Sequence, residues 1–280
     1  MRFPLLFVIF QDVQGKLATK PGKSHRLLAE ERRRGILELL DKDGRVTVED
    51  VVDQFSVSAV TARSDLDLLA EAGALVRSHG GAVRQTDGGV DYPIAIKQTQ
   101  HDAEKARIAE AAVALIKPEQ TIILDSGTTT AAIARQIRMR KLRLTVITNA
   151  LNVAMELCRA PQVSVIMLGG IVRPTSYSMV GPQAEQTLHG LRADHLMLGV
   201  DAMDPDIGVC TPDILEAQLN ALMMKVSREV TAVADSSKFH RRGLSVISKM
   251  EGLTRLITDN QAEPPKIATI RAKGVEVVLV

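Results

Sequence analysis

One stretch of the chain, residues 46–83, reads VTVEDVVDQFSVSAVTARSDLDLLAEAGALVRSHGGAV. Apolar side chains recur in it at the spacing of one buried helical face, first over residues 48–55 and again over residues 59–69. The stretch therefore predicts two short helices separated by only a few residues.

The boundaries of these helices are marked by short polar side chains. Thr47 and Asp50 stand in the relation of a capping box, and we expect the first of the two helices to open at Val46. Ser56-Val57 is suited to a tight turn, and Ser58 is suited to capping the helix that follows.

A helix that precedes this pair completes a three-helix unit. Its apolar residues are Leu28, Ile36, Leu37 and Leu40, and it ends near Gly44. The helix after Ser58 exposes Val60, Thr61, Arg63 and Ser64. A short helix, a tight turn and a helix with such a face form the helix-turn-helix that enters a major groove, with Arg63 able to bond guanine or phosphate. An ordinary three-helix bundle is the alternative.

The residues after the third helix favour a winged helix-turn-helix over that alternative. Gly73 is expected to stop the helix, and residues 74–83 read as two strands that turn at Gly80-Gly81. Arg77 and His79 on this wing are placed to reach a sugar-phosphate backbone. The predicted contacts to double-stranded DNA come from Thr47, Ser58, Val60, Thr61, Arg63, Ser64, Arg77 and His79.

Composition indicates a folded intracellular protein. Apolar residues make up 45% and charged residues 24% of the 280 residues, a balance typical of globular chains. Cys158 and Cys210 are too few for a disulfide framework and lack metal-ligand spacing, which favours the cytoplasm and predicts neither metal nor cofactor. The net charge is only +2, so a nucleic-acid footprint has to be local.

Residues 1–28 are interpreted as a flexible basic extension. Residues 1–10 imitate a signal peptide, but the apolar run is short and lacks a cleavage pattern. Residues 16–34 carry a net charge of +5, which suits a phosphate contact or simply a solvated face. No segment approaches the roughly 18 continuous apolar residues of a membrane helix, so no membrane partner is expected.

The remainder of the chain predicts an α/β fold. The winged domain covers residues 29–84, a polar linker covers 85–101, and a second domain covers 102–280. Apolar runs that alternate with helical segments lie at residues 121–124, 144–147, 163–168, 195–199, 230–234, 255–258 and 275–280. Buried strands alternating with helices imply a mostly parallel sheet, whose ligands bind beyond the carboxyl ends of the strands.

Small polar residues follow these predicted strands and form the candidate effector site. They are Asp125, Ser126, Gly127, Thr128, Thr129, Thr130, Thr148, Asn149, Gly170, Arg173, Asp201, Asp235 and Lys238. The Thr-rich turn opens a helix, where backbone amides bind phosphate, although plain helix capping is the alternative for each such turn. For Glu216 and Lys225, on a later helix, a solvated face is favoured over the cleft.

The winged domain resembles the DNA-binding domain of the DeoR family in Phe-Ser-Val-Ser (55–58), Thr-Ala-Arg-Ser-Asp-Leu (61–66) and Arg-Ser-His-Gly-Gly-Ala (77–82). Members usually carry Ile where this chain has Ala62, and a basic or amide residue where it has Ser64. The departure leaves the helix intact and puts base contact by Ser64 in doubt.

The second domain resembles the DeoR-family sensor domain, whose fold is related to ribose-5-phosphate isomerase. The matching stretches are 123–130, 146–150, 168–170, 198–202 and 234–239. Residues 198–204, Gly208-Val209 and the Asp-Ser-Ser-Lys-Phe run (235–239) are most similar to repressors of N-acetylgalactosamine and galactosamine use.

The resemblance implies a sequence-specific repressor of a sugar catabolic operon, which binds operator DNA and is controlled by a phosphorylated sugar. A homo-oligomer, dimer or tetramer, is expected because one recognition helix gives limited affinity. The alternative is a sugar-phosphate isomerase or deaminase with a DNA-binding head, which the absence of a recognisable catalytic motif disfavours.

Overall fold

A computed structural model describes residues 28–71, 74–83, 91–241 and 243–280. The predicted basic extension, apart from Leu28, lies outside the described residues. So do the predicted helix stop at Gly73 and the glycines at 88 and 89 of the predicted linker.

The N-terminal domain is a winged helix-turn-helix, as predicted. Its elements are α1 (Ala29–Asp43), β1 (Arg45–Thr47), α2 (Val48–Phe55), α3 (Ala59–Glu71), β2 (Val76–Ser78) and β3 (Gly81–Val83). The strands form an antiparallel sheet in the order β1-β3-β2. The wing is thus the hairpin β2-β3, with His79 and Gly80 at its tip.

The prediction that Val46 opens a helix is wrong. Val46 lies in β1, pairs with Ala82 of β3 and is only 1% exposed. Thr47 is the N-cap of α2, and its side chain and that of Asp50 form the reciprocal hydrogen bonds of a capping box. A capping residue has extended backbone, so the residue before it is free to continue as a strand.

One arginine of the basic segment 16–34 forms an ion pair inside the N-terminal domain. Arg32 of α1 is buried and donates from Nε to Oδ2 of the buried Asp65 in α3, at 2.5 Å. Arg33 lies 3.8 Å from the same carboxylate. This ion pair joins α1 to α3, so Arg32 is not a candidate for phosphate contact.

Gly81→Ala is expected to loosen the sheet of the winged domain. A Cβ at Gly81 would collide with the carbonyl oxygen of Val46 and lie 2.8 Å from the Cα of Thr47, both backbone atoms that cannot turn aside. Overpacking of this kind costs about 1–3 kcal/mol, so the opening free energy of the β1 and β3 amides should fall by that amount in hydrogen exchange. Gly190→Ala, where a Cβ meets open space, is the matched control. Equal protection in both variants would contradict the close approach.

The second domain has the predicted α/β fold. Its helices are α4 (Ile94–Thr99), α5 (Asp102–Ala114), α6 (Thr128–Arg140), α7 (Leu151–Leu157), α8 (Pro182–His189), α9 (Ile214–Val226) and α10 (Pro264–Ala272). Its strands are β4 (Thr121–Leu124), β5 (Leu144–Thr148), β6 (Val163–Met167), β7 (Ile171–Arg173), β8 (Ser178–Val180), β9 (Ala193–Gly199), β10 (Ala202–Asp204), β11 (Gly208–Thr211), β12 (Ser227–Val233), β13 (Ser245–Ser248), β14 (Arg255–Thr258) and β15 (Glu276–Leu279). None of the helices in the described parts of the chain has the length and apolarity to cross a bilayer.

All seven predicted strands lie in one parallel sheet, in the order β15-β14-β12-β9-β4-β5-β6. Apolar cores lie on both faces of this sheet, one around Leu196 and Met223 and the other around Ile122 and Ile137. The hairpin β7-β8 and the small sheet β10-β11-β13 were not predicted.

The described part of the predicted linker, residues 91–101, is built into the protein. It contains α4, whose Ile94 is buried, and Asp91 pairs with Arg173 at 2.5 Å. The buried Lys105 donates to the carbonyl oxygens of Lys97 and Gln100 and so closes the C-terminal end of α4. The described part of the polar linker predicted over residues 85–101 therefore includes a short helix and buried contacts.

Candidate functional site

The exposed face of α3 carries the predicted DNA contacts. Val60 is 74% exposed, and Arg63 and Ser64 are also exposed. Thr61 is half-buried, and its backbone amide donates to Oγ of Ser58, which caps the helix. The structure therefore brings Val60, Arg63 and Ser64 to one open surface, while Ser58 and Thr47 serve as helix caps.

Arg77 on the wing has partners within the domain that the sequence did not reveal. Its Nε lies 2.8 Å from Oδ1 of Asp67 on α3, and its Nη1 donates to the carbonyl oxygen of Gly81 at 2.6 Å. The side chain thus ties the wing to α3. His79 is exposed at the tip of the wing.

A polar cleft lies beyond the carboxyl ends of β4, β9 and β12, which are neighbours in the sheet. Its lining residues are Ile94, Lys97, Ser126, Gly127, Thr128, Thr129, Ser176, Gly199, Val200, Asp201, Thr211, Glu216, Asn220 and Lys238. Six of the predicted effector residues are among them: Ser126, Gly127, Thr128, Thr129, Asp201 and Lys238.

The Thr-rich turn presents the start of a helix to this cleft. Gly127 is the N-cap of α6 and has a φ of 154°, and no side chain caps the helix there. The first amides of an α-helix have no acceptor within the helix and carry the positive end of its dipole. Thr130 turns inward, where its Oγ1 donates to the carbonyl oxygen of Asp125 at 3.0 Å. The turn is a suitable site for an anion.

Two lysines and a carboxylate face this turn across the cleft. Lys97 Nζ donates to Oδ1 of Asp201 at 2.6 Å. Burial, with the Arg241 guanidinium nearby, lowers the pKa of Lys238 to about 8. Burial opposes ionisation of Asp201, but Lys97 and Lys238 outweigh it and hold the pKa of Asp201 below its usual value. Asp201 is therefore charged, with Lys97 bonded to it directly and the charge of Lys238 nearby.

Several predicted effector residues lie behind the cleft wall rather than on it. Asp125 is 1% exposed, and its Oδ1 accepts from the amide of Gly199 at 2.9 Å. Burial raises the pKa of Asp125 well above its usual value. Thr148 accepts from the amide of Ala150, and Asn149 donates to the carbonyl oxygen of Met179. These side chains shape the backbone that carries the cleft.

Gly170 and Asp235 also support the site from outside its lining. Gly170 has a φ of 122°, and a Cβ there would lie 2.5 Å from the carbonyl oxygen of Val180. It is therefore needed for the β7-β8 hairpin. Asp235 accepts from the amide of Ser237 and lies 3.8 Å from Lys238, which helps to keep its pKa below its usual value despite burial.

The expectation of a solvated face is wrong for Glu216. Glu216 is 5% exposed, and it accepts from Ser126 Oγ at 2.6 Å, from Arg173 Nη1 at 2.6 Å and from Thr211 Oγ1 at 3.2 Å. Burial and the charge of Asp201 raise the pKa of Glu216. Lys225, on the same helix, is exposed.

Other cleft residues were missed by the sequence analysis. They are Ile94, Lys97, Ser176, Gly199, Val200, Thr211 and Asn220. One signal was available for Glu216, since Asp213 caps α9 and its side chain accepts from the amide of Glu216, which places Glu216 in the first turn of that helix. No three His, Cys, Asp or Glu side chains within the described ranges come together as metal ligands.

Arg173→Met is expected to destabilise the domain in a pH-dependent way. Arg173 is 13% exposed and balances Glu216, Asp91 and Asp213, so its loss leaves the buried Glu216 uncompensated at a cost of about 3–5 kcal/mol at pH 8.

A carboxyl group whose pKa is raised on folding destabilises the fold above its unfolded pKa, and the penalty vanishes as pH falls below that value. Removing Arg173 raises the pKa of Glu216 further. The decrease in the free energy of unfolding caused by Arg173→Met, measured by urea unfolding, should therefore be smaller at pH 5 than at pH 8. Arg143→Met, at a side chain 75% exposed, is the control. A loss independent of pH would contradict this electrostatic role.

A winged helix-turn-helix joined to a parallel α/β domain with a charged polar cleft defines a DNA-binding regulator with a ligand-sensing domain. The family described as "DeoR-like helix-turn-helix domain" matches residues 32–87, and that described as "DeoR C terminal sensor domain" matches residues 100–260. The chain belongs to the DeoR family of transcriptional regulators.

Curated relatives agree with this membership. The "Putative aga operon transcriptional repressor" of Escherichia coli O157:H7 is 40% identical over 89% of this chain and 93% of its own length. The "Glycerol-3-phosphate regulon repressor" of Escherichia coli K12 is 32% identical over 84% of this chain and 92% of its own length. These relatives are repressors, so the chain is a transcriptional regulator and not the enzyme considered as the alternative.

Among solved structures, ribose 5-phosphate isomerase A of Methanocaldococcus jannaschii is 18% identical, with a TM-score of 0.36. The match covers 48% of this chain and 52% of that one.

Proposed function

We propose that this protein represses a sugar catabolic operon in the cytoplasm and is released from its double-stranded operator by a phosphorylated sugar. The observation that carries the proposal is the cleft itself, in which an uncapped helix start and Lys238 converge beside Asp201. The same chain carries a winged helix-turn-helix. A homo-oligomer, dimer or tetramer, would place two recognition helices on successive turns of DNA.

The cleft suits a sugar phosphate in one orientation. The phosphate group binds at the amides of residues 127–130, with Lys238 completing its neutralisation. The carboxylates of Asp201 and Glu216 then lie on the sugar side as acceptors for hydroxyl or amino groups. Oδ1 of Asn220 is buried and has no hydrogen-bond partner among the described residues, so it adds an acceptor for the sugar.

An amino sugar is the proposed effector class. The acceptors around the cleft fit the donors of an ammonium or an acetamido group, and the relative named for the aga operon supports this choice. A binding screen therefore uses galactosamine 6-phosphate, N-acetylgalactosamine 6-phosphate, ribose 5-phosphate and glycerol 3-phosphate, each with its unphosphorylated form. A ligand that binds only the folded protein raises the melting temperature by mass action.

Arg63→Ala is expected to weaken binding to operator DNA by about 1–3 kcal/mol if Arg63 reads a base. The operator is first selected by the protein from a random-sequence pool, and affinity is then measured for operator and random duplexes at one salt concentration.

His79→Ala should weaken both complexes alike, because a wing tip contacts the DNA backbone. Arg143→Ala, far from the winged domain, should bind as the wild type does. Wild-type affinity of Arg63→Ala for both duplexes would remove Arg63 from the interface.

The variants Lys238→Ala and Thr128→Ala should still bind operator DNA, but a higher concentration of sugar phosphate should be needed to release them from it. For Lys238→Ala, loss of a charge-assisted hydrogen bond should raise the concentration of sugar phosphate needed roughly 10- to 100-fold. In the wild type, potency should fall between pH 7 and pH 9, since the pKa of Lys238 is about 8 and its charge is lost over this interval.

The matched controls for these variants are Lys225→Ala and Thr187→Ala, both at exposed positions. Titration of operator complexes with a sugar and its phosphate tests the whole arrangement. Equal potency of the two forms, or a wild-type response of both cleft variants, would show that the turn is only a helix start and that the effector binds elsewhere.

A further inference from the structure

We propose that Lys97 couples the cleft to the DNA-binding domain, exchanging Asp201 for the phosphate of the effector and carrying this change through α4. This inference rests on the proposed function, because it needs an anion in the cleft. It assigns a role to a residue in a segment that the sequence presented as a linker.

Lys97 belongs to the cleft, although it comes from outside the main sheet. Its side chain is 12% exposed, and Nζ lies 2.6 Å from Asp201 and 3.9 Å from Asp91. Burial alone would lower the pKa of Lys97, but these carboxylates raise it, so Lys97 remains charged. An ammonium group in the cleft lining is a natural partner for a phosphate.

The other side of the same short segment contacts the DNA-binding domain. Ile96, next to Lys97, and Tyr92 pack against the apolar core formed by α1, α2, α3 and the wing strands. Thr99 borders a groove together with Gly35 of α1 and Phe55 of α2. A displacement of α4 therefore changes the surface on which the DNA-binding domain rests.

The segment is attached to the second domain near both of its ends. The amide of Ile94 donates to the carbonyl oxygen of Thr175 at 2.7 Å, beside the cleft. Lys105 holds the carbonyl oxygens of Lys97 and Gln100. A shift of the Lys97 ammonium group is thus passed to the helix backbone rather than absorbed by a loose loop.

Charge competition supplies two discrete arrangements. Asp201 bonds Lys97 directly, and a phosphate dianion bound at residues 127–130 of the same cleft competes with it for that ammonium group. Lys97 has one partner when it bonds Asp201 and another when it bonds phosphate. A bistable contact of this kind, with an interface behind it, is what converts ligand binding into a domain shift.

A residue that only contacts the effector and a residue that couples effector binding to DNA binding can make the same contacts. They differ in how their replacement changes the two binding affinities. The effector and DNA alter each other's affinity by the same factor, the coupling factor, which is typically 5- to 150-fold. Replacing a residue that only binds the effector weakens effector binding by the same factor in the free and in the DNA-bound protein. A coupling residue changes the ratio of these two affinities.

The test is therefore to measure the coupling factor for wild type and Lys97→Met. The ligand is whichever sugar phosphate of the screening panel binds the wild type most tightly, and its Kd is measured by calorimetry with and without a saturating operator duplex. We expect a coupling factor above about 5 in the wild type and within about twofold of 1 in Lys97→Met. Lys97→Arg, which keeps the charge, should restore much of it, and Lys225→Met is the control.

Ile96→Ala provides a second variant, at the far end of the same path and away from the cleft. It should leave the Kd of the free protein for the sugar phosphate unchanged while reducing the coupling factor, and it decides the question should Lys97→Met fail to fold. A wild-type coupling factor in either folded variant overturns the coupling role and leaves the proposed function standing. Failure of the wild type to bind any sugar phosphate of the panel overturns the proposed function and this inference together.

Discussion

The parallel pairing of β12, β9 and β4 is the constraint on which the rest of the molecule depends. It brings the three carboxyl ends to one edge, so that the turn after Leu124, the Asp201 loop and the Lys238 loop share a cleft. Because each strand is buried on both faces, the strand ends cannot slide without exposing apolar side chains. The sheet therefore fixes the spacing of the groups that line the cleft.

Charge balance is the second constraint, and it links the cleft to its surroundings. Glu216 can be buried because Arg173 lies 2.6 Å away, and the partly exposed Asp201 is held in its charged form by Lys97 at 2.6 Å and by the nearby charge of Lys238. A new anion in such a balanced cluster has to displace a carboxylate from its partner, since a low-dielectric site does not tolerate unpaired charge. Ligand binding and rearrangement of the ion pairs are then a single event.

The sequence alone predicted the elements that are marked by a local pattern of apolar and polar residues. The seven strands were predicted because a strand buried on both faces is a continuous apolar run, and the turn at residues 126–129 because it follows one. Val46 was misassigned because its strand exists only through pairing with Ala82, which is distant in sequence. Lys97 was missed, and Glu216 was assigned to a solvated face, because charged residues are normally exposed and only partners from other elements allow their burial.

The central claim is that the start of α6 holds the phosphate of a sugar effector. A crystal structure of the protein with the tightest-binding sugar phosphate tests it most directly. The account predicts phosphate oxygens within about 2.7–3.2 Å of the backbone nitrogens of residues 127–130 and near Nζ of Lys238, with the sugar towards Glu216. A phosphate bound anywhere else in the protein, or a sugar ring in its place at Gly127, would contradict it.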